Sequence, residues 1–159
     1  MRRICIIFLV LFAASIAGVA ARDYFTLQGG KLAGEELVTP EKTILLFWTI
    51  QCPYCYDQLK LMADHCAELE RRGFTVRLVN VGEPQGRVMR FVQDRGLGHC
   101  QVVLDESATL YRKFLVQGFP SYLFYYKGRE LMRANLLSEA TLEKALKAYD
   151  SPGVAEDMR

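Results

Sequence analysis

The sequence has almost no excess of charge of either sign. It contains 20 lysine and arginine residues and 18 aspartate and glutamate residues. Arg2 and Arg3 stand at the extreme N-terminus, and leaving them out gives 18 residues of each sign. A strongly basic surface is the electrostatic mark of nucleic-acid binding. The charge balance therefore gives no indication of a nucleic-acid partner or of an acidic substrate.

Internal repeats, low-complexity tracts and linker-like stretches are also absent from the sequence. A chain of 159 residues has the length of one domain with an appendage. Its hydrophobic fraction of 51% is ample for a buried core, which argues against intrinsic disorder. We therefore expect one folded domain over residues 22–150 and a short flexible tail at 151–159.

Long uncharged runs are scarce, and the clearest one lies near the N-terminus. Residues 4–21, ICIIFLVLFAASIAGVAA, follow two arginines and end in small residues. This pattern is typical of a cleaved export signal, and the run could also just span a bilayer as an uncleaved anchor. We expect residues 1–21 to be a signal peptide or a membrane tether, and the rest of the chain to be exported to the periplasm.

Cysteine is sparse outside this N-terminal run: the remaining residues are Cys52, Cys55, Cys66 and Cys100. An exported protein can form disulfides, but four cysteines are too few for a disulfide scaffold. A structural zinc site requires paired ligand sets, and the histidine–cysteine pairs at 65–66 and 99–100 do not repeat the C-x-x-C spacing. The default interpretation of Cys66 and Cys100 is two buried, inert thiols; a Cys66–Cys100 disulfide is the alternative.

The C-x-x-C pair occurs in the stretch LLFWTIQCPYC, residues 45–55. Cys52 follows an apolar run and precedes a predicted helix with Pro53 at its first position, where a missing N–H costs nothing. The helix N-terminus would stabilise a thiolate at Cys52, which is the species that attacks a disulfide. Cys55 lies one turn further and is the natural resolving thiol, and Trp48 would shield the site. A permanent Cys52–Cys55 staple would close a loop too small to stabilise the fold appreciably.

Hydrophobic periodicity indicates the fold class. Continuous apolar runs predict strands, and stripes of helical period predict helices. A short strand is predicted within 23–32, ending in the Gly29–Gly30 turn, and further strands at 43–49, 74–81, 101–104, 121–126 and 129–134. The helices are predicted at 53–72, 85–95, 107–114 and 138–149. Strands that alternate with helices and end in a hairpin and a helix indicate an α/β sandwich.

A second short motif, GFPS at residues 118–121, precedes the predicted hairpin. On a chain of this pattern, downstream of a C-x-x-C pair, we expect the Phe119–Pro120 bond to be cis. Such a bond would expose the backbone of Phe119, which could pair with an extended substrate segment beside Cys52.

Taken together, these motifs resemble the thioredoxin superfamily, and most closely the exported TlpA/ResA-like thiol–disulfide oxidoreductases of cytochrome c maturation. The resemblance covers most of residues 24–149 and rests on ILLFWTIQCPYC, VNVGEPQGRVMRFVQDRG and VVLDESATLYRKFLVQGFPSYLF. It implies a thioredoxin-like three-layer sandwich with a central mixed sheet and an inserted helix–strand at about 85–104. It also implies a nucleophilic Cys52, a resolving Cys55 and a cis Pro120.

The resemblance assigns a further role to Glu83, which ends the NVGE turn at 80–83. A glutamate in the matching turn of ResA-like proteins lies beside the cysteines and handles protons. Glu83 could accordingly accept the proton of the resolving thiol. The alternative is that its carboxylate caps the helix that follows Pro84.

The activity implied is thiol–disulfide exchange on exported proteins, with the protein acting as a reductase on substrates such as an apocytochrome c. Substrate contacts are expected at Phe119, Pro120, Trp48, Pro53 and Tyr54. A membrane or periplasmic electron donor would reset the pair, and no metal or organic cofactor is needed. The alternatives are a disulfide oxidase or isomerase and, from a different class, a copper-binding module in which two cysteines and a histidine hold Cu(I).

Overall fold

A computed structural model describes residues 22–150 of the chain. The predicted signal peptide or anchor at 1–21 and the predicted tail at 151–159 lie outside the described residues. Within residues 22–150, the helices are all too short or too polar to cross a membrane.

The secondary structure of the described residues alternates strands and helices, as predicted. The strands are β1 (Asp23–Thr26), β2 (Lys31–Ala33), β3 (Lys42–Trp48), β4 (Phe74–Val81), β5 (Gln101–Asp105), β6 (Ser121–Tyr126) and β7 (Arg129–Ala134). The helices are α1 (Cys55–Arg71), α2 (Gln85–Asp94), α3 (Thr109–Lys113) and α4 (Glu139–Lys147), which continues into a 3₁₀ turn at Ala148–Asp150.

The strands form one mixed sheet in the order β2-β1-β5-β4-β3-β6-β7. β3, β4 and β5 run parallel, because α1 and α2 carry the chain back between them. β1 and β6 flank this parallel centre in antiparallel orientation. The predicted insertion is thus α2 with β5, and β5 lies inside the sheet between β1 and β4.

Alternating side chains along the central strands divide the core into two faces. Ile44, Leu46 and Trp48 of β3 pack on one face with buried residues of α1, α2 and α4. Leu45 and Phe47 of β3 point to the other face, where α3 covers them. Two helical layers around one sheet give the three-layer sandwich that the sequence indicated.

α1 buries the predicted apolar stripe of Leu59, Met62, Cys66 and Leu69 and ends at Gly73, whose φ of +82° suits glycine. Cys66 forms a disulfide with Cys100, in the loop before β5. The default expectation of two inert thiols is therefore wrong, and the alternative holds. The physical reason is that α1 packs against the loop that leads into β5, which brings the two α-carbons within 5.8 Å.

Two features of the fold differ from the sequence-based expectation. β2, a three-residue strand, was not anticipated, because its residues Lys31–Ala33 are few and do not alternate in polarity. The N-terminal turn predicted for α1 is also different, since the helix begins at Cys55 and not at Pro53. Element ends depend on local hydrogen bonds that residue patterns alone do not specify.

Candidate active site

The C-x-x-C pair lies where β3 leaves the sheet and α1 begins. Cys52 and Cys55 are joined by a disulfide, with their α-carbons 5.3 Å apart. Cys52 is partly exposed, whereas Cys55 is 1% exposed and belongs to the core. One sulfur is thus open to an incoming group, and the other lies behind it.

The backbone around the pair forms two tight turns. The Cys52 N–H donates to the Thr49 carbonyl at 3.3 Å, and the Cys55 N–H donates to the Cys52 carbonyl at 3.2 Å. The second bond spans three residues, so Pro53 lies in a turn before α1 and not at its first helical position. Pro53 and Tyr54 are exposed, and the Tyr54 side chain is 64% exposed beside the disulfide.

A buried carboxylate supports the loop that leads into Cys52. Glu83 Oε1 accepts hydrogen bonds from Thr49 Oγ1 at 2.6 Å and from the Ile50 N–H at 2.9 Å. Glu83 Oε2 accepts one from Asn80 Nδ2 at 2.6 Å. Glu83 is 5% exposed, and these three donors provide hydrogen bonds to both of its buried oxygens. The carboxylate therefore holds residues 49–50 at the entrance to the C-x-x-C turn.

The alternative role of Glu83 as a helix cap is wrong. The N-cap of α2 is Pro84, and no side-chain cap hydrogen bond is found at this helix. The Gln85 N–H, at the first position of α2, donates instead to Glu106 Oε1 at 2.9 Å. Glu83 turns away from the helix because its three donors lie on the side of β3 and β4.

The GFPS motif reaches the same edge of the sheet. The Phe119–Pro120 peptide bond is cis, as predicted. Ser121 begins β6 and pairs with Phe47, one residue before the end of β3. Pro120 is buried, while Phe119 is half-buried and its ring lies 5.2 Å from that of Tyr111. The motif and the disulfide therefore border the same edge of the sheet: the disulfide follows the C-terminal end of β3, and the motif precedes the start of β6.

Trp48 has a different position from the one expected. It is 0% exposed and its indole packs against Phe91 of α2, with ring centroids 5.5 Å apart. A docked substrate would not touch a completely buried side chain, so the expected substrate contact at Trp48 is not supported. Trp48 instead forms the packed floor beneath the site.

Some residues that shape the site were missed in the sequence. Gln58, in the first turn of α1, is buried; its Oε1 accepts from the Leu137 N–H at 2.8 Å and from the Tyr122 hydroxyl at 3.1 Å. Burial raises the pKa of Tyr122, so this hydroxyl stays a donor. Asn80 and Gln58 are polar residues inside otherwise apolar patterns, and that interruption was the available signal.

For neither histidine does the structure give a contact with Cys52 or Cys55 within residues 22–150. His65 Nε2 lies 2.5 Å from Glu139 Oε2 at the start of α4, and His99 is exposed. Across residues 22–150, no cluster of three or more His, Cys, Asp and Glu side chains is arranged to hold a metal ion.

Comparison with known proteins places the chain in a family. The model of the AhpC/TSA family matches residues 18–130. The chain belongs to this family. It is also similar to the thiol-disulfide oxidoreductase ResA of Halalkalibacterium halodurans, with 25% identity over 109 residues that make up 69% of this chain. The match spans 61% of that relative, which is thus the longer protein.

Solved structures share the same architecture. A secreted disulfide oxidoreductase of Mycobacterium tuberculosis, homologous to E. coli DsbE, superposes with a TM-score of 0.68 at 21% identity, covering 80% of this chain and 96% of that one. StoA from Bacillus subtilis gives 0.66 at 21% identity, covering 79% and 95%. The exposed lipoprotein thioredoxin Etrx1 of Streptococcus pneumoniae gives 0.69 at 17% identity, covering 81% and 99%. The predicted thioredoxin-like fold is confirmed.

Proposed function

We propose that this AhpC/TSA-family protein carries out thiol–disulfide exchange on other proteins through Cys52 and Cys55. The observation that carries the proposal is the unequal exposure of the two cysteines in one disulfide. Cys52 is open at the sheet edge, and Cys55 is buried one turn behind it. An attacking thiol must reach its partner, while a resolving thiol must reach only the first sulfur.

In the reducing direction, the Cys52 thiolate attacks one sulfur of a substrate disulfide and breaks that bond. The released substrate sulfur takes up a proton, and a mixed disulfide joins Cys52 to the substrate. Cys55 then loses its proton and attacks Cys52, which closes the Cys52–Cys55 disulfide and frees the second substrate thiol. Two electrons pass to the substrate, and a dithiol donor must return them before the next turnover.

Glu83 has two parts in this scheme. Its hydrogen bonds to residues 49–50 fix the loop that leads to Cys52. It is also the carboxylate that we assign to receive the Cys55 proton, directly or through one water molecule. Phe119 and Pro120 would receive an extended substrate segment, and the exposed Pro53 and Tyr54 would border it.

The location and direction of the reaction are extensions of this proposal. An apolar run at 4–21 behind two arginines supports export to the periplasm, by cleavage or with a membrane tether. The relative ResA is named a thiol-disulfide oxidoreductase, and the structurally similar oxidoreductase of Mycobacterium tuberculosis is described as secreted, which favours exchange on exported proteins. We propose that the protein acts as a reductase, with apocytochrome c-like polypeptides among its substrates and a membrane or periplasmic dithiol as its donor.

Insulin reduction tests the activity, and the reduction potential tests its direction. The reduced protein should break insulin disulfides with a dithiol as donor, and the Cys52→Ser variant should not. A potential near about −270 mV fits a reductase, and one near about −120 mV would contradict the proposed direction in favour of an oxidase. If the protein reduces neither insulin nor any small disulfide, the proposed activity itself is overturned.

A further inference from the structure

Leu115, which follows α3, has a backbone conformation that normally belongs to glycine. Its φ is +51°, in the left-handed region that disfavours side chains with a Cβ atom. The Leu115 N–H donates to the Arg112 carbonyl at 3.1 Å, and the Val116 N–H donates to the Tyr111 carbonyl at 3.0 Å. This pair of bonds is the Schellman ending of a helix, in which glycine is the usual residue at the position of Leu115.

The Leu115 side chain does not pack in the core, so no buried apolar contact offsets the strain of this backbone conformation. It is 73% exposed, although the neighbouring Phe114 and Val116 are both buried. Glycine at position 115 would relieve the backbone strain and would lose little buried apolar surface. The fold alone therefore gives no reason for a leucine at this position.

Leu115 forms one wall of a groove of about 540 Å³. The other lining residues are Gln117, Gly118, Ser121, Arg133 and Asn135. Lining residues of the groove precede and follow the cis Phe119–Pro120 bond in the sequence: Gln117 and Gly118 come before it and Ser121 comes after it. Ser121, one of the lining residues, pairs with Phe47 near the end of β3, the strand that leads to Cys52.

Hydrogen bonds from β7 fix the backbone at Leu115. Arg133 of β7 donates to the Phe114 carbonyl at 2.7 Å and to the Leu115 carbonyl at 3.1 Å. Its guanidinium also pairs with Glu130. On the other wall, Ser121 Oγ donates to the Gly118 carbonyl at 2.8 Å. Binding grooves are usually formed before the ligand arrives, and these contacts give this groove a fixed shape.

We infer that this groove is a substrate subsite and that Leu115 is a specificity-determining residue within it. The occupant is an extended segment of the protein whose disulfide is attacked by Cys52, with an apolar side chain against Leu115. The choice of occupant follows from continuity, because a segment paired with Phe119 continues directly along Gly118 and Gln117. The side-chain amides of Gln117 and Asn135 suit the polar backbone of such a segment. The inference rests on the proposed function.

The test compares Leu115→Gly with the unchanged protein on two substrates, insulin and oxidised glutathione. We expect kcat/KM for insulin to fall about fivefold to tenfold, mainly through a higher KM, because one apolar contact is lost. The rate with oxidised glutathione, the rate of Cys52 alkylation and the reduction potential should not change. The thermal midpoint should stay the same or rise, since glycine suits this backbone.

Two further variants separate contact from backbone effects. Leu115→Asn keeps a residue that tolerates the left-handed conformation but removes the apolar surface, so it should behave like Leu115→Gly. Leu115→Met keeps apolar surface and should retain most of the insulin activity.

The outcomes distinguish the subsite from the proposed function. If the unchanged protein reduces neither insulin nor oxidised glutathione, the proposed function fails. If it reduces both and Leu115→Gly is equal to it on insulin, the subsite alone is overturned. An equal loss on both substrates also overturns the subsite, because it would mean that the C-x-x-C site itself had been disturbed.

Discussion

The two disulfides described within residues 22–150 have similar distances between their α-carbons and very different surroundings. Their α-carbons lie 5.3 Å apart for Cys52–Cys55 and 5.8 Å apart for Cys66–Cys100. The first contains the partly exposed Cys52 at the edge of the sheet, and the second has both cysteines at 1% exposure or less. Both disulfides have one cysteine on α1. Exposure, and not the distance between the α-carbons, therefore distinguishes the pair that we propose to exchange from the buried pair.

The loops that the two disulfides close differ as much as their exposure. The sequence separation is 3 residues for Cys52–Cys55 and 34 residues for Cys66–Cys100. By the chain-entropy relation, the short loop stabilises the fold by about 1.6 kcal/mol and the long loop by about 4 kcal/mol. By this relation the Cys52–Cys55 pair contributes less to stability than Cys66–Cys100, as suits a pair that we propose to open during a reaction. The buried pair fastens α1 to the insertion that contains α2 and β5.

The largest expected effect concerns activity. Cys52→Ser should reduce insulin turnover to the uncatalysed level, because it removes the attacking thiolate. The double variant Cys66→Ala/Cys100→Ala should keep turnover within about twofold when assayed well below its melting temperature, since Cys66 and Cys100 are buried and do not contact the substrate. A parallel loss of turnover in the double variant would remove the functional distinction between the two pairs.

The next effect concerns stability, and here removal of the buried pair should have the larger effect. Cys66→Ala/Cys100→Ala should lower the free energy of unfolding by about 4 kcal/mol, and Cys52→Ala/Cys55→Ala by about 1.6 kcal/mol. Urea unfolding of the oxidised proteins measures both values. Equal losses in the two double variants would contradict the division into a stabilising pair and an exchanging pair.

A smaller effect is expected at Glu83, which supports the exposed pair but not the buried one. Glu83→Gln should slow resolution of the mixed disulfide about 100-fold, because the carboxylate no longer accepts the Cys55 proton. Stopped-flow measurement of substrate release over a range of pH gives this rate. Asn80→Ala is the matched control, since it removes the donor to Glu83 Oε2 and keeps the carboxylate. If Asn80→Ala slows release as much as Glu83→Gln does, Glu83 serves to anchor the loop alone.

The smallest effect concerns Tyr122, whose hydroxyl donates to Gln58 of α1. Tyr122→Phe should cost about 1 kcal/mol at pH 7 through the lost hydrogen bonds. Burial raises the pKa of Tyr122 in the folded protein, whereas an unfolded tyrosine ionises near about pH 10.

The unfolded state therefore loses this proton first as the pH rises above about 10, and the free energy of unfolding declines from that pH upward. Tyr122→Phe should make the decline less steep. Unfolding curves between pH 8 and about pH 11 test this expectation, and an identical slope in both proteins would contradict it.

Much of this structure could be predicted from residue patterns. The apolar runs at 74–81 and 121–126 match β4 and β6, because a strand covered on both faces has a continuous apolar sequence. The stripe of α1 gave its buried face. The C-x-x-C pair and GFPS were recognisable because they are local motifs, and the fold brought them to one edge of the sheet.

The features that sequence could not supply depend on contacts between distant residues. The Cys66–Cys100 bond needed the packing of α1 against the loop before β5. The buried Arg77 of β4 donates to the carbonyls of Glu36 and Leu37 at 2.7 Å and 2.6 Å, and a charged residue in an apolar strand gives no sign of such partners. Leu115 was likewise not recognisable, because a left-handed backbone conformation is not visible in a leucine.

Stepwise reduction of the folded, oxidised protein tests the central claim most directly. Dithiothreitol is increased in steps, free thiols are alkylated at each step, and mass analysis locates the modified cysteines. The exposure of Cys52 predicts a broad range in which Cys52 and Cys55 are modified while Cys66–Cys100 stays closed until the protein unfolds. Modification of Cys66 and Cys100 at the same reductant concentration as Cys52 and Cys55, or before them, would contradict the account.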